Sequence, residues 1–362
     1  MQIKLQMRGE HVSQEAEKMI DARIDARLRK IMEERNLYEG AAHSPQQKSE
    51  ERAVMPELAS GGLPVRKPRQ QTLHPLNQIL YGAPGTGKTY SAVEYALAIL
   101  ENRAVSEAPL TNHERTVQME TWESYRASGQ IVFTTFHQSY GYEEFIQGIR
   151  PGTSGETVSF QVADGIFKKM ADAARKDMEN SYVIVIDEIN RGNISRIFGE
   201  LITLLEEDKR WGEQNQLAVT LPLGELFAIP NNLYVIGTMN SADKSISLID
   251  AALRRRFDFV ELAPRPELIG DAVLRDVMVR LNRYLRRELR STDLLVGHSF
   301  FIGKREKDLG NIMNRNIIPL LYEYFYDEEA KVKKALECIS DSNFETDGTG
   351  NRRVRVKEKG SQ

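Results

Sequence analysis

The chain has 362 residues, of which 41% are hydrophobic and 28% charged, an ordinary balance for a protein that buries a sizeable core. Acids outnumber bases by 52 to 49, so the chain as a whole lacks the basic excess that grips a phosphate backbone. A single cysteine, Cys338, excludes an internal disulfide and any Cys/His zinc spacing. It falls in a helix-like stretch, reads as buried filler, and suits a reducing cytoplasm. The first residues lack the apolar core of a signal peptide, and no apolar run is long enough to span a membrane.

Residues 1–74 are polar and charged. Within them, 14–35 carries Met19, Ile20, Ile24, Leu28, Ile31 and Met32 at the spacing of an amphipathic helix, which predicts packing on its own domain or on a neighbouring copy. The stretch 41–71, rich in Ser, Gln, Gly, Pro and charge, reads as a linker. From 75 to 262, strand-like runs at 77–81, 131–135, 182–187 and 233–238 alternate with helical patterns at 88–101, 165–179 and 195–206. That alternation predicts an α/β fold, a parallel sheet between layers of helices. A β-hairpin is expected at 217–229, turning near Leu223 and Gly224. Residues 263–338, periodic over 267–290 and 309–326, predict a small helical lid. Residues 339–362 end in a polar, Gly-containing stretch and read as a disordered tail.

The run Gly82-Ala83-Pro84-Gly85-Thr86-Gly87-Lys88-Thr89 matches the phosphate-loop pattern in full, between a strand and a helix as that pattern requires. Glycines let the backbone curl so that N–H groups face phosphate oxygens. Lys88 reaches the β- and γ-phosphates, and Thr89 offers a hydroxyl to Mg²⁺. Tyr90, next on the helix, is counted with the nucleotide-binding set. The run 182–188 is an apolar strand ending in Asp187 and Glu188, where side chains open into the crevice of a parallel sheet. Asp187 would serve the Mg²⁺ shell and Glu188 would polarise the attacking water. The next strand ends at Asn240, which could hold that water or cap a turn together with Asp243. Arg254, Arg255 and Arg256 stand in a row before another strand-like run. One is expected to reach a neighbouring subunit's nucleotide as an arginine finger, and another to turn inward to an acid.

Five blocks resemble the McrB family of AAA+ proteins: 136–151 (FHQSYGYEEFIQGIRP), 187–195 (DEINRGNIS), 239–243 (MNSAD), 297–301 (GHSFF) and 318–325 (IPLLYEYF). They fall in the family's order and span roughly 75–335. The resemblance implies a AAA+ core with a helical lid, a homo-hexameric ring, GTP preferred over ATP, Mg²⁺, and a separate McrC-like endonuclease subunit that stimulates hydrolysis and cuts DNA. It places the Walker B acids at Asp187 and Glu188 and the family's Asn-Thr-x-Asp signature at Asn240, Ser241, Ala242 and Asp243, with Ser241 in place of the threonine. Only about 74 residues precede the core, where a well-known architecture of the family has a reader of modified DNA. The residues themselves leave open an ATP-using remodeller of a protein client, a nucleotide-bound scaffold that hydrolyses slowly alone, and the roles of His137 and His298.

Overall fold

The computed structural model describes residues 73–106, 108–154, 157–243, 251–347 and 354–359. The chain divides into two units, Met1–Leu63 and Pro64–Gln362, and every described residue belongs to the second. The helix expected at 14–35 and the linker at 41–71 lie outside the described residues. In chain order the strands are β1 (Asn77–Gly82), β2 (Ile131–Thr135), β3 (Gln147–Ser154), β4 (Thr157–Asp164), β5 (Tyr182–Asp187), β6 (Val219–Thr220), β7 (Leu226–Phe227), β8 (Leu233–Asn240), β9 (Asp258–Glu261), β10 (Phe344–Asp347) and β11 (Arg355–Glu358).

Five of these strands form one sheet in the order β2-β5-β8-β1-β9, with every neighbour parallel. The apolar runs explain it, since a parallel strand covered on both faces needs apolar residues at consecutive positions. Alternate residues divide between two cores. Leu80, Val183, Val185, Tyr234 and Ile236 pack with Ala92, Ala96, Leu97 and Trp122 on one face. Ile79, Ile184, Ile186, Leu233 and Val235 pack with Phe136, Phe145, Phe167 and Phe198 on the other. The first face is covered by α1 (Lys88–Leu100) and α2 (Asn112–Ala127), the second largely by α3 (Ile166–Lys176). Helix α2 starts at a capping box that the sequence reading passed over: the Glu114 N–H donates to Thr111 Oγ1, and the Thr111 N–H donates to the Glu114 carboxylate.

Two antiparallel hairpins are inserted into this frame. β6–β7 falls where a hairpin was expected, with Gly224 in the left-handed region at φ 89°. β3–β4 was not anticipated. The buried Lys168 ammonium ties the base of β3–β4 to the turn of β6–β7, 3.0 Å from Asp164, 3.1 Å from Asp172 and 3.0 Å from Glu225. The single helix expected over 195–206 is instead broken. An α-turn, Ile194–Phe198, gives way to a 3-10 stretch, Gly199–Leu205, because Gly199 takes φ 52° with the Tyr142 ring lying against it.

The lid begins with α4 (Ala272–Leu289), capped by Asp271 Oδ1, which accepts from the Val273 and Leu274 N–H groups. A helical run over 309–324 follows, carrying a π-helical turn at Met313–Ile317. The expected disordered tail is corrected here. β10 and β11 pair antiparallel, and Phe344, Val354 and Val356 insert into the lid core. The Tyr322 hydroxyl accepts from the Val354 N–H, and the Asn314 side chain pairs with both backbone groups of Val356. These apolar anchors outweigh the polar residues around them. Cys338 is buried in the same core, and burial pushes its thiol up to about 12. Among the described residues, no helix is long and apolar enough to cross a membrane.

Candidate active site

Residues 82–89 form the turn between β1 and α1. Gly85 and Gly87 take φ 76° and 79°, a region costly for any residue with a β-carbon. Gly87 caps α1 without any side-chain hydrogen bond, so the first N–H groups of that helix are left for a ligand. The Lys88 ammonium donates to the Gly82 and Ala83 carbonyls, each at 2.9 Å. Burial lowers its pKa from the ordinary value, while Glu188, Asp187 and Asp243 pull it back upward.

The parallel register brings the other elements alongside. Gly82 lies opposite Asn240 at the ends of β1 and β8, and the Ser241 N–H donates to the Gly82 carbonyl at 3.1 Å. At the end of β5, Asp187 Oδ1 accepts from Thr89 Oγ1 at 2.9 Å and from Thr238 Oγ1 at 2.6 Å. The Glu188 N–H donates to Thr238 Oγ1 at 3.1 Å. Glu188 itself sits at φ 51°, a left-handed conformation uncommon for a non-glycine residue. Its carboxylate accepts from Arg191 Nε at 3.0 Å, and Arg191 also lies 3.6 Å from Asp243. Asn240 occupies a turn, accepting from the Ala242 N–H and donating to Asp243, both at 3.4 Å. Buried Asn190 donates to the Asn240 carbonyl.

Thus Thr89, Asp187, Glu188, Asn240 and Asp243 converge on one end of the sheet. Thr238, Asn190 and Arg191 join them, though the sequence reading assigned them no role. Their signal was position alone, on or beside strand ends that open onto the loop. A polyphosphate fits this cradle, because the first turn of α1 keeps its N–H groups uncapped with Lys88 beside them; Gly82 itself is dictated by packing, since a β-carbon there would come within 2.4 Å of the Leu262 carbonyl oxygen. Mg²⁺ fits too. Among the described residues there is no group of three or more His, Cys, Asp or Glu that could hold a metal, and Mg²⁺ characteristically takes few protein ligands and completes its shell with phosphate and water. Thr89 and Asp187 are the protein ligands it would use.

The arginines separate clearly. Arg256 turns inward, 2.5 Å from Glu206 and 5% exposed. Arg255 is 68% exposed and 3.6 Å from the same carboxylate, and exposed Arg254 lies over the Phe259 ring at 5.4 Å. Tyr90 is exposed and carries the Arg115 guanidinium 3.9 Å from its ring centroid. His137 is exposed and local in its contacts, bonding Ser139 and meeting Tyr140 edge-on.

The lid reaches back over the loop. The Gly297 N–H donates to the Pro84 carbonyl and the Ser299 N–H to the Gly85 carbonyl, both at 2.9 Å. A β-carbon on Gly297 would come within 2.0 Å of the Gly85 backbone. His298, between them, is buried.

This parallel sheet, its glycine loop and the acids facing it define a P-loop nucleotide-binding domain with a helical lid. The chain belongs to the AAA domain family, dynein-related subfamily, which it matches over residues 77–257, and its lid matches the McrB alpha-helical lid domain over 273–333. It is 35% identical over 285 residues to the type IV methyl-directed restriction enzyme EcoKMcrB subunit of Escherichia coli (strain K12), covering 71% of this chain and 56% of that one. It is 27% identical over 225 residues to the type II restriction enzyme BsuMI component YdiS of Bacillus subtilis (strain 168), covering 52% and 58%. The chain thus spans a little over half the length of these curated relatives.

Proposed function

We propose that this chain is the GTP-hydrolysing motor subunit of a McrBC-like, modification-dependent restriction system. It would form a homo-hexamer, drive DNA translocation, and leave cleavage to a McrC-like endonuclease subunit. The observation that carries hydrolysis is the hydrogen bond from Thr89 to Asp187, which joins the phosphate loop to the acid strand with Glu188 one residue further on. In this reading Lys88 holds the β- and γ-phosphates, and Glu188 takes the proton of the attacking water. Asn240, fixed by its turn, orients that water. Thr89 and Asp187 would hold Mg²⁺, which would supply charge neutralisation at the phosphates. In this reading the ion pair to Arg191 would have to open before Glu188 acts, which gives a stimulating partner something to change.

The preference for GTP rests on the likeness to the McrB subunit, and ATP is the alternative. The test is turnover of GTP and ATP side by side, with and without the nuclease subunit. GTP should be consumed faster and the partner should accelerate it. Faster use of ATP would favour an ATP-driven remodeller.

Exposed Arg254 and Arg255 are the candidates for a finger acting across a subunit interface, whereas Arg256 is committed within its own chain. Arg255→Ala should therefore lower hydrolysis in the ring while leaving nucleotide binding intact and stability within about 0.5 kcal/mol of the parent. Mixing it with Lys88→Ala subunits should restore part of the activity. Arg256→Ala, which leaves the Glu206 carboxylate only its longer contact to exposed Arg255, should cost about 1–3 kcal/mol in a denaturant titration. No rescue on mixing, or equal stability losses for both variants, would count against this division of roles.

A further inference from the structure

His298 sits on a 3-10 turn, His298–Phe300, and is 5% exposed. Its Nδ1 accepts a hydrogen bond from the Arg265 N–H at 3.1 Å. A backbone N–H only donates, so Nδ1 carries no proton, and in a neutral ring the proton is on Nε2. Burial, assisted by the Arg265 charge and opposed by Glu267, lowers the imidazole pKa and keeps the ring neutral near pH 7. Nε2–H makes no hydrogen bond to any described residue. It faces the loop at Gly87, where a β-carbon would lie 3.6 Å from it. Gly87 is also the uncapped start of α1. A donor on a buried ring, with its tautomer fixed from behind, therefore looks into the mouth of an anion-binding helix end.

The backbone reinforces this placement. Hydrogen bonds from Gly297 and Ser299 to the loop carbonyls of Pro84 and Gly85 hold the turn in register on both sides of His298. Arg265, the donor behind it, lies on the connection between β9 and α4, where the chain passes from sheet to lid.

We propose that His298 is a nucleotide-binding residue that donates Nε2–H to a phosphate oxygen seated over Gly87 while Nδ1 holds the core–lid connection at Arg265. The proposal rests on the reading of 82–89 as a phosphate-binding loop. It makes one imidazole the link between an occupied loop and the position of the lid. Phosphate seated in the loop strengthens the bond at Nε2 and so braces the ring against Arg265.

Two substitutions separate the nitrogens. His298→Asn keeps an acceptor near the position of Nδ1 but loses reach toward the loop. His298→Gln keeps a donor near the position of Nε2 but loses the acceptor for Arg265. Affinity is read with fluorescent GTP and ATP analogues on the full chain, beside Lys88→Ala. The Asn variant should melt like the parent without nucleotide yet bind both analogues about ten-fold more weakly, while the Gln variant stays within about three-fold. Parent-like affinity in the Asn variant with weak binding in the Gln variant would make His298 a purely structural residue and overturn the proposal. If Lys88→Ala also binds normally, the phosphate-loop reading fails with it; if Lys88→Ala abolishes binding, only the role of His298 fails. A second measurement avoids reliance on folding of the variants. In ¹⁵N-histidine-labelled parent protein, His298 should be the Nε2–H tautomer, and its Nε2 resonance should move when GDP binds. An Nδ1–H tautomer, or an Nε2 resonance indifferent to GDP, would sink the idea.

Discussion

Glu188→Gln is expected to lower nucleotide hydrolysis by about 10²- to 10⁴-fold, the usual contribution of a positioned general base, while leaving binding intact. The amide keeps the shape of the carboxylate and the N–H donated to Thr238 but cannot take a proton from water. Stability should hardly change, because the pair with Arg191 is solvent-accessible on both sides and such pairs contribute little. The resulting protein should accumulate as a nucleotide-bound ring, visible as an assembly that elutes early from a sizing column and retains unhydrolysed nucleotide. Parent-like turnover would remove Glu188 from the mechanism.

Lys88→Ala should abolish useful binding. The ammonium is the one cation that the loop itself supplies, and charge-assisted hydrogen bonds of this kind contribute about 1.5–3 kcal/mol each, so affinity should fall by roughly 10- to 100-fold or more. Thermal melting offers the cleanest readout. At nucleotide concentrations about 100 times the parent's dissociation constant, the parent gains about 2.7 kcal/mol of stability, whereas the variant should gain about 1.4 kcal/mol after a 10-fold loss of affinity and about 0.4 kcal/mol after a 100-fold loss. An undiminished shift in the variant would place nucleotide elsewhere on the chain.

The nucleotide core was largely legible in the sequence because its signals are local. The buried strand 182–186 is apolar at consecutive positions, and the loop at 82–89 is contiguous, so neither depends on distant contacts to be recognised. What escaped was long-range. Thr238 gains its importance only from the register that places it beside Asp187, and Arg191 only from the turn that swings it toward Glu188 and Asp243. The lid strap at 297–299 falls in a block that resembles the McrB family, but its contact with Pro84 and Gly85 depends on how the lid packs. The terminal hairpin was misread because Phe344, Val354 and Val356 are sparse among polar neighbours, and burial of three side chains decided the matter. Gly199 likewise broke a helix that periodicity alone would have continued.

The position of β1 has a consequence for how the protein is made. Asn77 lies opposite Val235 on one side, and Gln78 opposite Asp258 on the other. The first strand of the sheet to be synthesised therefore has no partner until β8 has left the ribosome, and its other edge stays open until β9 follows. Loop closure over such separations is slow, and pairings of this kind delay folding. The nucleotide loop, though early in the chain, is thus among the last features to be completed during synthesis. A nascent chain stalled before Asp258 would carry every residue of the loop but leave one edge of β1 open to whatever chaperone stands nearest.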